Sequence, residues 1–193
     1  MILSTFHTSA QYGEDDDGAI TLKNFKADLS RLKIQYLPPR GYKSLYKSYS
    51  ASTGTFLLSA SRHQLQAQKD SVFIYFAIID IDTSQALSNR LKKFGFNVDV
   101  NRNYIQGVAD TLMYPIFQDP MQLSISKYNA DRSGTYDVQL KLPYKRQYSN
   151  CKVMYIHKEN RADILIYYFF NSESASKLSK HIKRISQRIR FLP

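Results

Sequence analysis

Cysteine and tryptophan are nearly missing from this chain, which has one Cys, Cys151, and no Trp in 193 residues. A single thiol excludes an internal disulfide scaffold and a cysteine-rich zinc module. Glycine and proline are also scarce, at 7 and 6 residues, which excludes a collagen-like or low-complexity chain. No apolar run approaches the roughly 18 residues that a membrane-spanning helix needs. Acidic residues number 16 against 27 basic ones, a formal charge of +11. Aromatic residues are plentiful, with 15 Tyr and 11 Phe. With 43% hydrophobic residues the chain can bury a core, and its length suits one domain. These numbers describe a basic, aromatic-rich globular domain and specify no activity.

The N-terminal residues bear on compartment. Ile2 to Phe6 form a short apolar stretch, and the small residues Thr8, Ser9 and Ala10 precede the acidic Glu14–Asp17. Signal peptidase needs small side chains flanking its cut, and a polar mature chain follows. The basic segment that opens a signal is missing. Residues 1–19 therefore read as a truncated signal-peptide remnant and flexible lead-in, with the true start upstream, and 20–193 as a single α+β domain. This predicts a periplasmic or secreted protein. The other reading is a floppy cytoplasmic N-terminus. Cys151 lies too far from the start to carry a lipid anchor and suits either compartment as a buried thiol.

Periodicity gives the elements. Ile20, Leu22, Phe25 and Leu29 have helical spacing, and Leu32, Ile34 and Tyr36 alternate like a half-buried strand that Pro38-Pro39 ends. Two short strands, Tyr42–Ser50 and Thr55–Ser61, flank a turn at Ser52-Thr53-Gly54. Val72 to Ile79 is an unbroken β-branched and aromatic run, predicted as a central strand covered on both faces. Asp82 or Thr83 caps a helix carrying Leu87, Leu91 and Phe94 and stopping at Gly95. A second helix covers roughly 102–114 before Pro115, and Asp119-Pro120 starts a short helix to about Tyr128. From Tyr136 strands return, and Cys151–His157 and Ala162–Phe170 form a hairpin around Lys158-Glu159-Asn160-Arg161. Leu178, Ile182, Ile185 and Ile189 mark an amphipathic helix from Ser174 to Ile189. Runs of strands with helices between the runs indicate α+β with a mainly antiparallel sheet.

The spacing Asn129-Ala130-Asp131-(x)2-Gly134-Thr135, then Tyr148-(x)2-Cys151-(x)2-Met154-(x)-Ile156-His157-Lys158-(x)-Asn160-(x)-Ala162-Asp163, carries a resemblance. So does the closing Ile189-Arg190-Phe191. Over roughly 115–193 the chain resembles an uncharacterised family of exported proteins from Bacteroidetes-type bacteria. Ser9-Ala10-Gln11 is similar to the cleavage regions of such proteins. Leu37-Pro38-Pro39-Arg40-Gly41-Tyr42 resembles the opening of Mog1/PsbP-like domains, compact antiparallel sheets packed by helices. Arg132 stands where the resemblance implies an aromatic residue. The resemblance implies fold and export and transfers no activity.

No catalytic constellation is legible. Cys151 and His157 share a strand face, but at about 3.3 Å rise per residue they lie roughly 20 Å apart, far beyond nucleophile–base contact. Cys151 therefore reads as a small core hydrophobe. His7, His63, His157 and His181 have no metal-ligand spacing, and Asp80-x-Asp82 lacks the ligand ladder of a calcium loop. Phosphate-binding glycine loops and nucleophile elbows are absent. Asp131, His157 and Asp163 are candidates for a polar pocket at one sheet end, but turn chemistry accounts for His157, Asn160 and Asp163 more simply. Asn129 and Asp131 are expected to stop the preceding helix and shape the loop into Tyr136. Ionisable groups are thus expected to be scattered, with no metal or cofactor.

The basic excess is uneven. Lys177, Lys180, Lys183, Arg184, Arg188 and Arg190 crowd the outer face of the last helix, where Arg188 and Arg190 meet the negative dipole end. A second cluster interleaves rings and cations at Tyr42-Lys43, Tyr46-Lys47 and Tyr144-Lys145-Arg146-Gln147-Tyr148. Lys177, Lys180, Arg184, Tyr144, Lys145 and Arg146 are the candidate binding residues. In the envelope they would meet an anionic component or another envelope protein. Inside the cell they would bind nucleic acid by stacking and phosphate contact. The leading expectation is a non-enzymatic, envelope-associated binding or accessory protein. An intracellular nucleic-acid-binding module is the alternative, and an enzyme with an unrecognised site is third.

Overall fold

The run Val72–Ile79 is the organising strand. In a computed structural model, which describes residues 16–45, 61–81, 89, 92–93, 113–115, 121–140 and 142–193, the strand spans Val72–Asp80 and is buried at every position. Helix α1 (Asp16–Arg31) comes first, then β1 (Ile34–Tyr36), β2 (Tyr42–Leu45), β3 (Ser61–Ala67) and β4 (Val72–Asp80). Next come β5 (Met113–Pro115), β6 (Met121–Gln122), helix α2 (Ile125–Tyr128), β7 (Arg132–Leu140), β8 (Asn150–Lys158) and β9 (Ala162–Phe170). A 3-10 turn over Ser172–Lys177 leads into helix α3 (Leu178–Ser186), and β10 (Ile189–Phe191) follows. The protein is α+β with a mainly antiparallel sheet and an amphipathic helix near the C-terminus. Eight strands form one sheet in the order β2-β3-β4-β9-β8-β7-β5, with β6 also on β7. Strands β1 and β10 form a separate pair. No helix among the described residues is long and apolar enough to cross a membrane.

Strand alternation separates two buried faces. On one, Val72, Ile74, Phe76 and Ile78 of β4 join Ile164, Ile166 and Tyr168 of β9 under Phe25 of α1 and Leu178 and Ile185 of α3. On the other, Phe73, Tyr75, Ala77 and Ile79 join Leu165, Tyr167 and Phe169, with Cys151, Val153 and Tyr155 of β8. Each such Ile or Phe contributes about 1.5–3 kcal/mol by leaving water. Cys151 is a core side chain, and burial pushes its thiol up. His63 of β3 is buried on the first face, stacked on Phe25 at 4.9 Å between ring centres and close to Tyr36 and Phe76. Desolvation lowers its pKa to about 4, so it is neutral at pH 7.

Several predicted boundaries move. Helix α1 takes in Asp16–Ala19, ahead of the Ile20 at which the sequence pattern starts it. Strand β3, Ser-Arg-His-Gln-Leu-Gln-Ala, was hidden because its inward residues are His63, Leu65 and Ala67, a weak apolar signal. Met113–Pro115 is strand, not the end of a helix, and Met121–Gln122 is strand before the helix starts at Ile125. The last helix ends at Ser186, and Ile189 belongs to β10. Ile189 lies four residues after Ile185 and two before Phe191, so it satisfies both helix and strand spacing. Arg190 is therefore a strand residue beyond the helix dipole. The predicted turn at 52–54, its flanking strands beyond Leu45 and before Ser61, the helix over 102–112 and, apart from residues 89, 92 and 93, the helix over 83–95 lie outside the described residues.

Candidate functional site

The predicted cations of the last helix occupy one end of the first sheet face. Lys177 Nζ donates to Asp70 Oδ1 at 2.6 Å, and His181 Nε2 meets Asp70 Oδ2 at 3.2 Å. His181 Nδ1 meets the Tyr42 hydroxyl at 2.6 Å, and the Arg184 guanidinium lies over the Tyr42 ring. The Lys177 hydrogen bond holds Asp70 below the usual carboxylate range, so Asp70 only accepts. His181 Nε2 therefore donates to it, and Nδ1 accepts from Tyr42. Burial lowers the His181 pKa and raises that of Tyr42, which keeps the imidazole neutral and the phenol protonated. The spacing is that of a nucleophile, base and orienting carboxylate. The electrostatics oppose activation, and the network ties α3 to β2 and to the β3–β4 turn. Ionisable groups converge here, contrary to the sequence expectation. Lys180 remains on the exposed face of α3.

Tyr144 and Lys145 pack at the opposite sheet face, and Arg146 beside them is exposed. Tyr144 stacks on Phe169 at 4.0 Å between centres, and Lys145 Nζ lies 3.6 Å from the centre of the Phe73 ring. Desolvation lowers the Lys145 pKa to about 8. Tyr148 is buried, and its hydroxyl donates to Gln66 Oε1 at 3.0 Å. These side chains cover the aromatic face. They do not form one surface with the α3 cations, as joint nucleic-acid binding would require. Lys145 and Arg146 adopt φ of 49° and 60°, a region that favours glycine. Arg146→Gly is expected to stabilise the fold by roughly 0.5–1 kcal/mol in urea unfolding. Unchanged or lower stability would show that the exposed arginine makes a compensating interaction.

The expected turn chemistry holds for Asn160, at φ 54°, and for Asn129, the left-handed cap of α2. It does not hold for His157 and Asp163. They stand opposite each other on β8 and β9, and His157 Nδ1 lies 2.6 Å from Asp163 Oδ1 with both side chains buried. Burial raises the Asp163 pKa, and His157 opposes that shift. Asp163 Oδ2 is buried without a hydrogen-bond partner. Arg132 lies opposite His157 on β7, so Arg, His and Asp form one row across three strands. Asp131 does not join this pair. It is exposed at the hairpin turn, where it accepts from the Glu159 N–H at 2.7 Å and pairs with Lys158 at 3.3 Å.

A groove of about 560 Å³ lies beside that turn. Ser126, Lys127 and Asn129 at α2, Lys158 and Arg161 at the hairpin, and Arg190 to Pro193 form its walls. Lys127 Nζ donates to Ser186 Oγ at 3.0 Å, Arg161 Nη1 to the Leu192 carbonyl at 2.8 Å, and Arg190 Nε to Gln35 Oε1 at 2.7 Å. Each acceptor is neutral, so these three cations are positioned without a carboxylate among the described residues. Elsewhere Arg31 is held by Asp28 and Asp80, Lys152 by Asp137 and Lys177 by Asp70. Burial chiefly, with a contribution from Lys183 nearby, lowers the Lys127 pKa. The four groove cations are not among the binding residues legible in the sequence, because they are spread over three elements with no linear motif. Among the described residues no three His, Cys, Asp or Glu side chains gather as a metal site. Comparison with known proteins finds no family model and no curated protein that matches the chain.

Proposed function

We propose that the protein is an exported, envelope-associated binding protein that acts without catalysis and holds an anionic ligand in the groove beside the β8–β9 turn. The observation that carries this reading is the fixing of Lys127, Arg161 and Arg190 by neutral acceptors. Like charges held close together oppose folding unless an anion joins them, and positioning them in advance lowers the cost of binding. Export is supported by the small residues Thr8, Ser9 and Ala10 and by the resemblance to exported Mog1/PsbP-like proteins, whose implied architecture is an antiparallel sheet packed by helices.

Melting of the full chain at low ionic strength with citrate or pyrophosphate tests the binding. The melting temperature is expected to rise with anion concentration, to rise less when salt is added, and to stay flat in Arg161→Glu/Arg190→Glu. A flat wild-type response, or an unchanged one in the double variant, removes the groove as the site. Export predicts a mature N-terminus near Gln11 in the periplasmic fraction when the full upstream reading frame is expressed. An uncleaved cytoplasmic chain contradicts it.

A further inference from the structure

The groove has features that narrow its ligand, an inference that rests on the anion-binding reading above. Asp131, an acidic residue beside the groove, is engaged with Lys158. Among the described side chains Lys127, Arg161 and Arg190 have no carboxylate partner, which leaves more positive charge than a single carboxylate neutralises. A phosphomonoester carries about −1.5 to −2 charge at neutral pH and presents three terminal oxygens. Guanidinium groups match phosphate through parallel N–H bonds. Arg161 and Arg190 each spend one of five donors on the contact that positions them, leaving donors for a ligand.

Part of the remaining wall is apolar. Leu192 and Pro193 line it and are exposed, Leu192 at 37%, while Phe191 beneath them belongs to the core. The wall is held in place because Leu192 N donates to the Lys33 carbonyl at 2.7 Å and Lys33 Nζ to the Pro193 oxygen at 3.3 Å. The volume, about 560 Å³, falls in the range of small-molecule sites. Inorganic phosphate would leave the apolar wall and most of that volume unused. We infer that the groove binds an organic phosphomonoester, with the phosphate among Lys127, Lys158, Arg161 and Arg190 and the organic part against Leu192 and Pro193. A phosphorylated sugar or a lipid headgroup would supply the same chemistry.

Calorimetric titration of the full chain with phenyl phosphate, benzoate and inorganic phosphate tests the assignment. Phenyl phosphate is expected to bind at least tenfold more tightly than benzoate or inorganic phosphate, and to tighten between about pH 5 and 7 as its second proton leaves. Arg161→Gln is expected to weaken it about tenfold or more, while Lys23→Gln on exposed α1 leaves it unchanged. Melting curves confirm that each variant is folded, and Lys158→Gln serves if Arg161→Gln is not. Phosphatidylcholine vesicles with and without phosphatidic acid distinguish the sources. Binding only to the phosphatidic acid vesicles alongside phenyl phosphate supports a lipid headgroup, and binding to phenyl phosphate alone supports a soluble ligand. Benzoate binding as tightly as phenyl phosphate overturns the phosphate assignment and leaves the anion groove standing. Failure of all these probes, together with citrate and pyrophosphate, overturns both.

Discussion

Replacing His157 with leucine is expected to destabilise the protein by about 3–5 kcal/mol, because it leaves the buried Asp163 carboxyl without its partner. Asp163→Val should cost a similar amount by stranding the His157 ring nitrogen in the core. The double variant His157→Leu/Asp163→Val should recover most of the loss. A buried pair contributes little net stability once its desolvation is counted. The unbonded Asp163 Oδ2 adds to that cost and makes recovery more complete. Urea unfolding of the four proteins measures the coupling. Single losses below about 1 kcal/mol would mean that water reaches the pair. Additive losses would mean that the two residues act independently.

Stability is also expected to fall by about 2 kcal/mol from pH 7 to pH 5, mainly through His63. Its pKa is about 4 in the folded protein and about 6.5 in an unfolded chain. Between those values the unfolded chain binds the extra proton, so stability rises with pH across the window. Protonation in place would charge a ring packed between Phe25, Tyr36 and Phe76. The lowered pKa of His181 acts in the same direction. Asp70 also loses its stabilising ion pairs on acidification, but only as the pH falls below its unfolded value of 3.8. Burial of Asp163 works the other way, since its raised pKa is an unfavourable contribution relieved by acid. His63→Phe keeps the stacked shape and removes the titration. Unfolding free energies of this variant at the two pH values should differ by much less than in the wild type. Equal pH dependence in both would assign the effect to other groups.

Legibility in the sequence followed the strength of local patterns. The β4 run and the β8–β9 hairpin were readable because β-branched and aromatic residues fill them and a polar turn separates the hairpin strands. Strand β3 was not, because its buried positions include a histidine and a glutamine. The end of α3 was misplaced because Ile189 fits two periodicities. His157 and Asp163 were visible as residues, but their chemistry depends on strand register and burial, which turn composition does not report. The groove was hidden for a related reason. Its four cations come from α2, the hairpin and β10, and what distinguishes Lys127, Arg161 and Arg190 among them is the neutrality of their partners.

The side-chain Nε–H resonances of the arginines report most directly on whether such neutrally held cations await an anion. Titrating phenyl phosphate into isotope-labelled protein at low salt is predicted to shift the Arg161 and Arg190 signals saturably. The Arg31 signal, from a guanidinium already engaged by Asp28 and Asp80, should stay in place. Equal, unsaturated shifts at all three, or none at Arg161 and Arg190, would contradict the account.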